Sequence, residues 1–137
     1  MLKLIVGLKG SGKTKTLIEM ANKALEESKG AVVCIEKGSK LIYDIKHQVR
    51  LIDTDQYGII DAASLSAFIA GILASNHDVT DIFVDSALKI VGNEVEPFAD
   101  MITKLDEFAE KVGVNLVVTS SIAKEELPES IAQFVIN

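Results

Sequence analysis

Apolar residues fall along this chain in two rhythms. Four short runs, Leu2 to Val6, Ala31 to Glu36, Ile82 to Asp85 and Val114 to Thr119, are nearly continuous and rich in Val and Ile. Runs of that length and composition predict strands buried on both faces. Between them the apolar positions spread to helical spacing. Leu17, Ile18, Ala21, Ala24 and Leu25 predict a helix over 13–28, which Lys29-Gly30 should close with a C-terminal glycine. Leu65, Phe68, Ile69, Ile72 and Leu73 predict a second helix, entered through a cap at Asp61 to Ser64 and left at Ser75 to Asp78. Phe98, Met101, Ile102, Leu105, Phe108, Ala109 and Val112 line one face of a third, with Pro97 in its first turn and Gly113 at its stop.

Three stretches are less regular. Lys37-Gly38-Ser39 reads as a turn, and Gly92-Asn93 as part of a loop. In Lys40 to Tyr57 two patterns compete. Leu41, Ile42, Ile45 and Val49 suit a short helix, whereas Val49 to Ile52 suits a short strand, and both remain open. After Thr119 comes a short segment of helical character around Pro128, then Phe134 to Ile136 as a predicted last strand at the end of the sequence. Strands alternating with helices predict an α/β three-layer sandwich, one domain over 1–137, with a mostly parallel sheet between helical layers. Ligands of such sheets bind at the carboxyl ends of the strands. The first turn, Glu36, Asp85 and Thr119-Ser120-Ser121 all fall there and should gather at one edge.

That first turn is Gly7-Leu8-Lys9-Gly10-Ser11-Gly12-Lys13-Thr14. It has a glycine, four free positions, then Gly-Lys-Thr, between a buried strand and an amphipathic helix. This is the pattern and the context of a phosphate loop. Gly7, Gly10 and Gly12 permit backbone conformations that bring N–H groups onto phosphate oxygens. The opening of the helix adds its positive end. Lys13 is expected on the phosphates, flanked by Lys9, Ser11 and Lys15, with Lys3 as a further basic flank. The Thr14 hydroxyl is expected on Mg²⁺. A metal-bound triphosphate also calls for a carboxylate, and Asp85 at the end of its strand is the candidate. Asp81 should precede that strand and point the other way. Many ATPases place a glutamate directly after the metal-pairing aspartate, but Ser86 stands there. Glu36, ending the second strand, is the substitute for orienting water.

Composition limits the partners. The net charge is −6 over 137 residues, so no overall positive field draws nucleic acid or anionic lipid. The single Cys34 lies in an apolar run and reads as a buried thiol, consistent with a reducing compartment. No apolar stretch approaches membrane-spanning length, and the first residues lack a signal-peptide pattern. A cytoplasmic location is the expectation. Arg50 is the only arginine.

These residues resemble the RecA-like P-loop NTPase core shared by recombinases, hexameric helicases and the cyanobacterial clock ATPase. In that family a catalytic glutamate ends the strand after the phosphate-loop helix, and Val33-Cys34-Ile35-Glu36 is similar. Phe83-Val84-Asp85-Ser86 is similar to its metal strand. Val118-Thr119-Ser120-Ser121 is similar to its γ-phosphate-sensing strand, which implies Ser120 or Ser121 as sensor in place of the usual Gln or His. Ile122 to Glu125 is similar to the segment that follows. The chain also looks similar to small stand-alone bacterial P-loop proteins sometimes labelled twitching-motility ATPases, although it has none of the larger motor architecture. The resemblance implies ATP and Mg²⁺ as cofactors and allows a homo-oligomer or another protein partner. It also implies a cationic finger from a neighbouring subunit, for which Arg50 or Lys124 is available. Without one, turnover should be slow.

Three rival functions stand beside an ATPase. A GTPase would use Thr103-Lys104-Leu105-Asp106 as a guanine motif and Asp55 to Gly58 as a switch, but the first falls mid-helix by its spacing. A small-molecule kinase usually clamps phosphates with several arginines, which one Arg cannot supply. A non-hydrolysing sensor would order a loop such as Lys37 to Tyr57 around the γ-phosphate. Tyr43 and Tyr57 are the nearest candidates for contact with a base. His47 and His77 lack ligand spacing. Glu94, Glu96, Asp100, Glu107, Glu125, Glu126 and Glu129 read as solvated.

Overall fold

Five strands form one all-parallel sheet in the order β1-β5-β4-β2-β3. The computed structural model describes all 137 residues, Met1–Asn137. The strands are β1 (Leu2–Gly7), β2 (Ala31–Glu36), β3 (Arg50–Asp53), β4 (Val79–Val84) and β5 (Asn115–Ser121). The helices are α1 (Lys13–Glu27), α2 (Ala62–Ser75), α3 (Ala87–Ile90), α4 (Val95–Val112) and α5 (Glu129–Ala132). Short 3₁₀ turns occupy Thr54–Tyr57 and Lys124–Glu126.

The continuous apolar runs divide by parity, as side chains alternating across a pleated strand must. Leu4, Val6, Val33, Ile35, Ile82, Val84, Leu116 and Val118 enter the larger core cluster, under α2, α3 and α4. Ile5, Val32, Cys34, Phe83 and Val117 face the other way, onto Leu17 and Ala21 of α1 and onto Leu41, Ile45 and Val49. The sheet is therefore the middle of three layers. Both faces are dry because each strand carries apolar side chains at odd and even positions alike.

Several boundaries depart from the periodicity. In the open stretch, Leu41, Ile45 and Val49 lie in turns packed on α1, and the regular element is the strand β3, which pairs with β2 from Val33↔Arg50 to Glu36↔Asp53. Arg50 thus stands on a strand, exposed, at the amino end. Asp81 lies inside β4 rather than before it, bonded to Thr80 and Asn115. The loop before α4 contains α3, too short to show a period. Phe134 to Ile136 make one parallel bridge, Leu4↔Val135, beside β1 and not a full strand. Val112, expected on the buried face of α4, is 45% exposed in the last turn.

Gly30 has a different task from the one its position suggests. Helix α1 ends at Ser28 in an extended conformation, with no left-handed glycine. A Cβ on Gly30 would lie 1.9 Å from the Asp78 carbonyl oxygen, which accepts the Ala31 N–H at 2.7 Å. The glycine is needed for close approach of two backbones where β2 starts beside β4. Gly113, by contrast, caps α4 in the left-handed region as expected (φ 84°). Asp61 and Ser64 form a reciprocal capping box at α2.

Candidate functional site

The carboxyl ends of β1, β2, β4 and β5 and the start of α1 surround a cavity of about 570 Å³. Its lining is polar: Leu41 and Leu88 are the only apolar members. From the glycine loop come Lys9, Gly10, Gly12, Lys13, Thr14 and Lys15, and from the strand ends Glu36, Asp85 and Ser121. The grouping at one edge follows from all five strands running the same way.

The loop is shaped as an anion nest. Gly10 and Gly12 have φ of 85° and 88°, where a side chain would be strained, and a Cβ on either would point into open space. Helix α1 starts at Lys13 without a side-chain cap. The N–H groups of Gly10, Gly12, Lys13, Thr14 and Lys15 have no acceptor within the protein, so the orphan donors of the helix start are free to meet an anion. The Lys13 ammonium folds back over this loop, donating to the Leu8 carbonyl at 3.0 Å and to Ser11 Oγ at 3.4 Å. It is buried, and an arriving anion would replace neutral partners with a charged one. Gly7 and Ser11 build the loop but do not line the cavity.

Asp85 is held from three sides. Its N–H donates to the Ile35 carbonyl at 2.9 Å, which carries the sheet ladder one residue past β4. Thr14 Oγ1 lies 3.2 and 3.3 Å from the two carboxylate oxygens and donates to them. Thr119 Oγ1 donates to Asp85 Oδ1 at 2.7 Å and accepts the Ser86 N–H at 2.8 Å. Ser86 then turns the chain into α3 through a left-handed conformation (φ 56°). No three His, Cys, Asp or Glu side chains converge on a metal position. The Thr14–Asp85 pair fits Mg²⁺, which takes one or two protein ligands and completes its shell with phosphate oxygens and water.

Glu36 reaches the cavity but is already engaged. It is 3% exposed, and its two oxygens accept the N–H groups of Lys40 and Leu41, each at 3.1 Å. Burial pushes its carboxyl above the ordinary glutamate value; the two N–H bonds pull the other way, and Asp85 and Asp53 add to the rise. Cys34, buried beneath on β2, has its thiol pushed up by burial, with Asp85 and Glu36 contributing.

The two serines part company. Ser121 lines the cavity, while Ser120 is fully buried and spends its hydroxyl on the Thr119 carbonyl at 2.7 Å. Period-2 alternation along β5 puts Thr119, not Ser120, beside Asp85. Tyr43 and Tyr57 do not line the cavity; Tyr57 packs on Phe68 with ring centroids 5.8 Å apart. Lys3 sits at the amino end of β1, away from the site. Lys124 is bonded to the Asn137 carbonyl. Thr103 to Asp106 lie inside α4, and Asp106 accepts the Leu2 N–H at 3.2 Å, at the far end of β1 from the loop. Asp55 is paired with Lys37 at 2.6 Å. Both histidines are exposed. The structure adds Lys37, Lys40, Lys89 and Asn93 to the cavity, none of them part of a sequence motif.

No helix is long and apolar enough to cross a membrane. No family profile matches this sequence, and no curated protein matches it. The chemistry of this edge therefore rests on its own geometry.

Proposed function

We propose that this chain is an ATP-binding P-loop domain of RecA-like type that requires Mg²⁺ and hydrolyses ATP slowly. One observation carries the reading: a run of free backbone N–H groups opens α1 directly beside the Thr14–Asp85 pair. The N–H groups and Lys13 would hold the β- and γ-phosphates, and Thr14 and Asp85 would hold Mg²⁺. When bound, Mg²⁺ supplies the charge that neutralises the phosphate oxygens. Ser121, the serine of β5 that lines the cavity, would report on the γ-phosphate. Lys9 and Lys15 add positive potential at the rim.

Slow turnover is argued from two residues. Arg50 opens the edge strand β3 beside Val33 in the middle of β2 and does not line the cavity, so this chain offers its own site no arginine. Glu36 is largely buried, and each of its oxygens already accepts one N–H, so it would meet water only through its remaining acceptor sites. That engagement also favours the second reading, a sensor in which the Lys37 to Tyr57 segment responds to the nucleotide without fast cleavage.

Titration with ATP, GTP and ADP, with turnover followed in the same samples, tests the proposal. ATP should bind with Mg²⁺-dependent affinity. Lys13→Ala removes a charge-assisted contact of about 1.5–3 kcal/mol and should weaken binding roughly 10- to 150-fold. Unchanged ATP affinity in that variant would overturn the assignment, and preference for GTP would overturn the choice of base. Turnover unaffected by Glu36→Gln would remove Glu36 from catalysis.

A further inference from the structure

The cavity carries more positive charge than a nucleotide site explains. Six lysines line it, against the two carboxylates Glu36 and Asp85, in a chain whose net charge is −6. Lys9, Lys13 and Lys15 belong to the glycine loop. Lys37 and Lys40 follow β2, three places along the sheet from β1 and so roughly 14 Å away at the usual strand spacing. Lys89 comes from α3, with Asn93 just beyond it. These four residues belong to the part of the cavity wall that lies outside the glycine loop and the strand ends. Lys37 is paired with Asp55, but no carboxylate lies within ion-pair distance of Lys40 or Lys89. The sequence has 20 acidic residues that could have met them. Like charges brought to one concave wall repel one another unless an anion joins them.

A magnesium-bound triphosphate has its formal charge of about −2 met by Lys13 and its neighbours in the glycine loop. We propose that Lys37, Lys40, Lys89 and Asn93 form a second anion subsite, which takes the phosphate of a small phosphorylated ligand alongside the nucleotide. The nucleotide half of this statement rests on the function proposed above; the subsite does not. Lysines bind phosphate as point charges. The ligand is small and polar because the wall lies inside a cavity with only two apolar lining residues. A nucleic-acid backbone would meet a chain whose net charge is −6.

Calorimetric titration of pyrophosphate into protein saturated with Mg²⁺ and a non-hydrolysable ATP analogue tests the subsite, because the γ-phosphate position is then filled. Saturable pyrophosphate binding is expected, weakened tenfold or more by combining Lys40→Ala and Lys89→Ala. Both side chains are exposed, so the variant should fold. Its affinity for the analogue should stay within about threefold, a change of roughly 0.7 kcal/mol. No saturable binding to the loaded protein, or undiminished binding to the double variant, overturns the subsite. Loss of analogue affinity comparable to that of Lys13→Ala overturns it too, by making the wall part of the nucleotide site. Equal binding of citrate overturns the phosphate class, and displacement of pyrophosphate by a single-stranded oligonucleotide overturns the small ligand. If the wild type fails to bind nucleotide yet binds pyrophosphate through Lys40 and Lys89, the subsite stands and the proposed function falls.

Discussion

Thr119→Val separates the holding of Asp85 from the packing of β5. The side chain is 1% exposed, and valine fills nearly the same volume while removing the hydroxyl. Two bonds go with it: the 2.7 Å donation to Asp85 Oδ1 and the 2.8 Å acceptance from the Ser86 N–H. The first is charge-assisted and worth about 1.5–3 kcal/mol; the second is worth about 1 kcal/mol. An extra buried methyl returns close to 1 kcal/mol, leaving a net loss of about 2 kcal/mol. For 137 residues that corresponds to a fall in Tm of roughly 7 °C. Stability alone would not distinguish a positioning residue from a packing one, so the decisive readout is the metal dependence of nucleotide affinity. Asp85 freed from Thr119 can leave Thr14, and the ratio of ATP affinities with Mg²⁺ and with EDTA should drop about tenfold, or 1.4 kcal/mol. Affinity without metal, which on the proposed function the loop N–H groups and Lys13 would carry, should not change. Thr119→Ser keeps both hydrogen bonds and should restore the ratio. The reasoning fails if Thr119→Val retains the full Mg²⁺ effect, or if Thr119→Ser is equally impaired.

Three further outcomes concern the scaffold and the pH response. Gly30→Ala places a methyl 1.9 Å from the Asp78 carbonyl oxygen and should cost about 3 kcal/mol or more by urea denaturation; Gly71→Ala, with open space around its Cβ and an ordinary helical φ, should gain up to about 1 kcal/mol. The Glu36 carboxyl is raised in the folded protein, mainly by burial, so the folded state binds that proton more tightly than the unfolded state does. Its contribution is full below the ordinary glutamate value and is lost as pH rises through the elevated one. Glu36→Gln should flatten that part of the stability–pH curve, measured by denaturation across an acid-to-neutral series, and an unchanged slope would assign it to another group.

Much of the architecture was legible because it is local. Ala31 to Glu36 is a β-branched run bounded by glycine turns, which delimits β2 to the residue, and Gly113 delimits the end of α4. The glycine loop was legible because glycine, lysine and threonine at fixed spacing encode a backbone shape that needs little from the rest of the chain. Asp85 could be picked out because a carboxylate directly after a buried apolar run has few cheap places to be.

What the sequence could not decide depends on partners far along the chain. Arg50 to Asp53 is a strand because β2 offers it an edge, while Leu41, Ile45 and Val49 are buried by α1, so both halves of that ambiguous pattern are used without a helix. Gly30 is required by the carbonyl of Asp78, a residue 48 positions later. Thr119 rather than Ser120 meets Asp85 because the register of β5 beside β4 fixes which parity faces the edge. Lys37, Lys40 and Lys89 carry no motif, and only the parallel order of the strands brings them to the cavity that Gly7 to Thr14 opens. Local propensity and spacing set the elements and the glycine loop; long-range pairing set which side chains share that loop's space, because a side chain's neighbours across a sheet are fixed by register and not by distance in sequence.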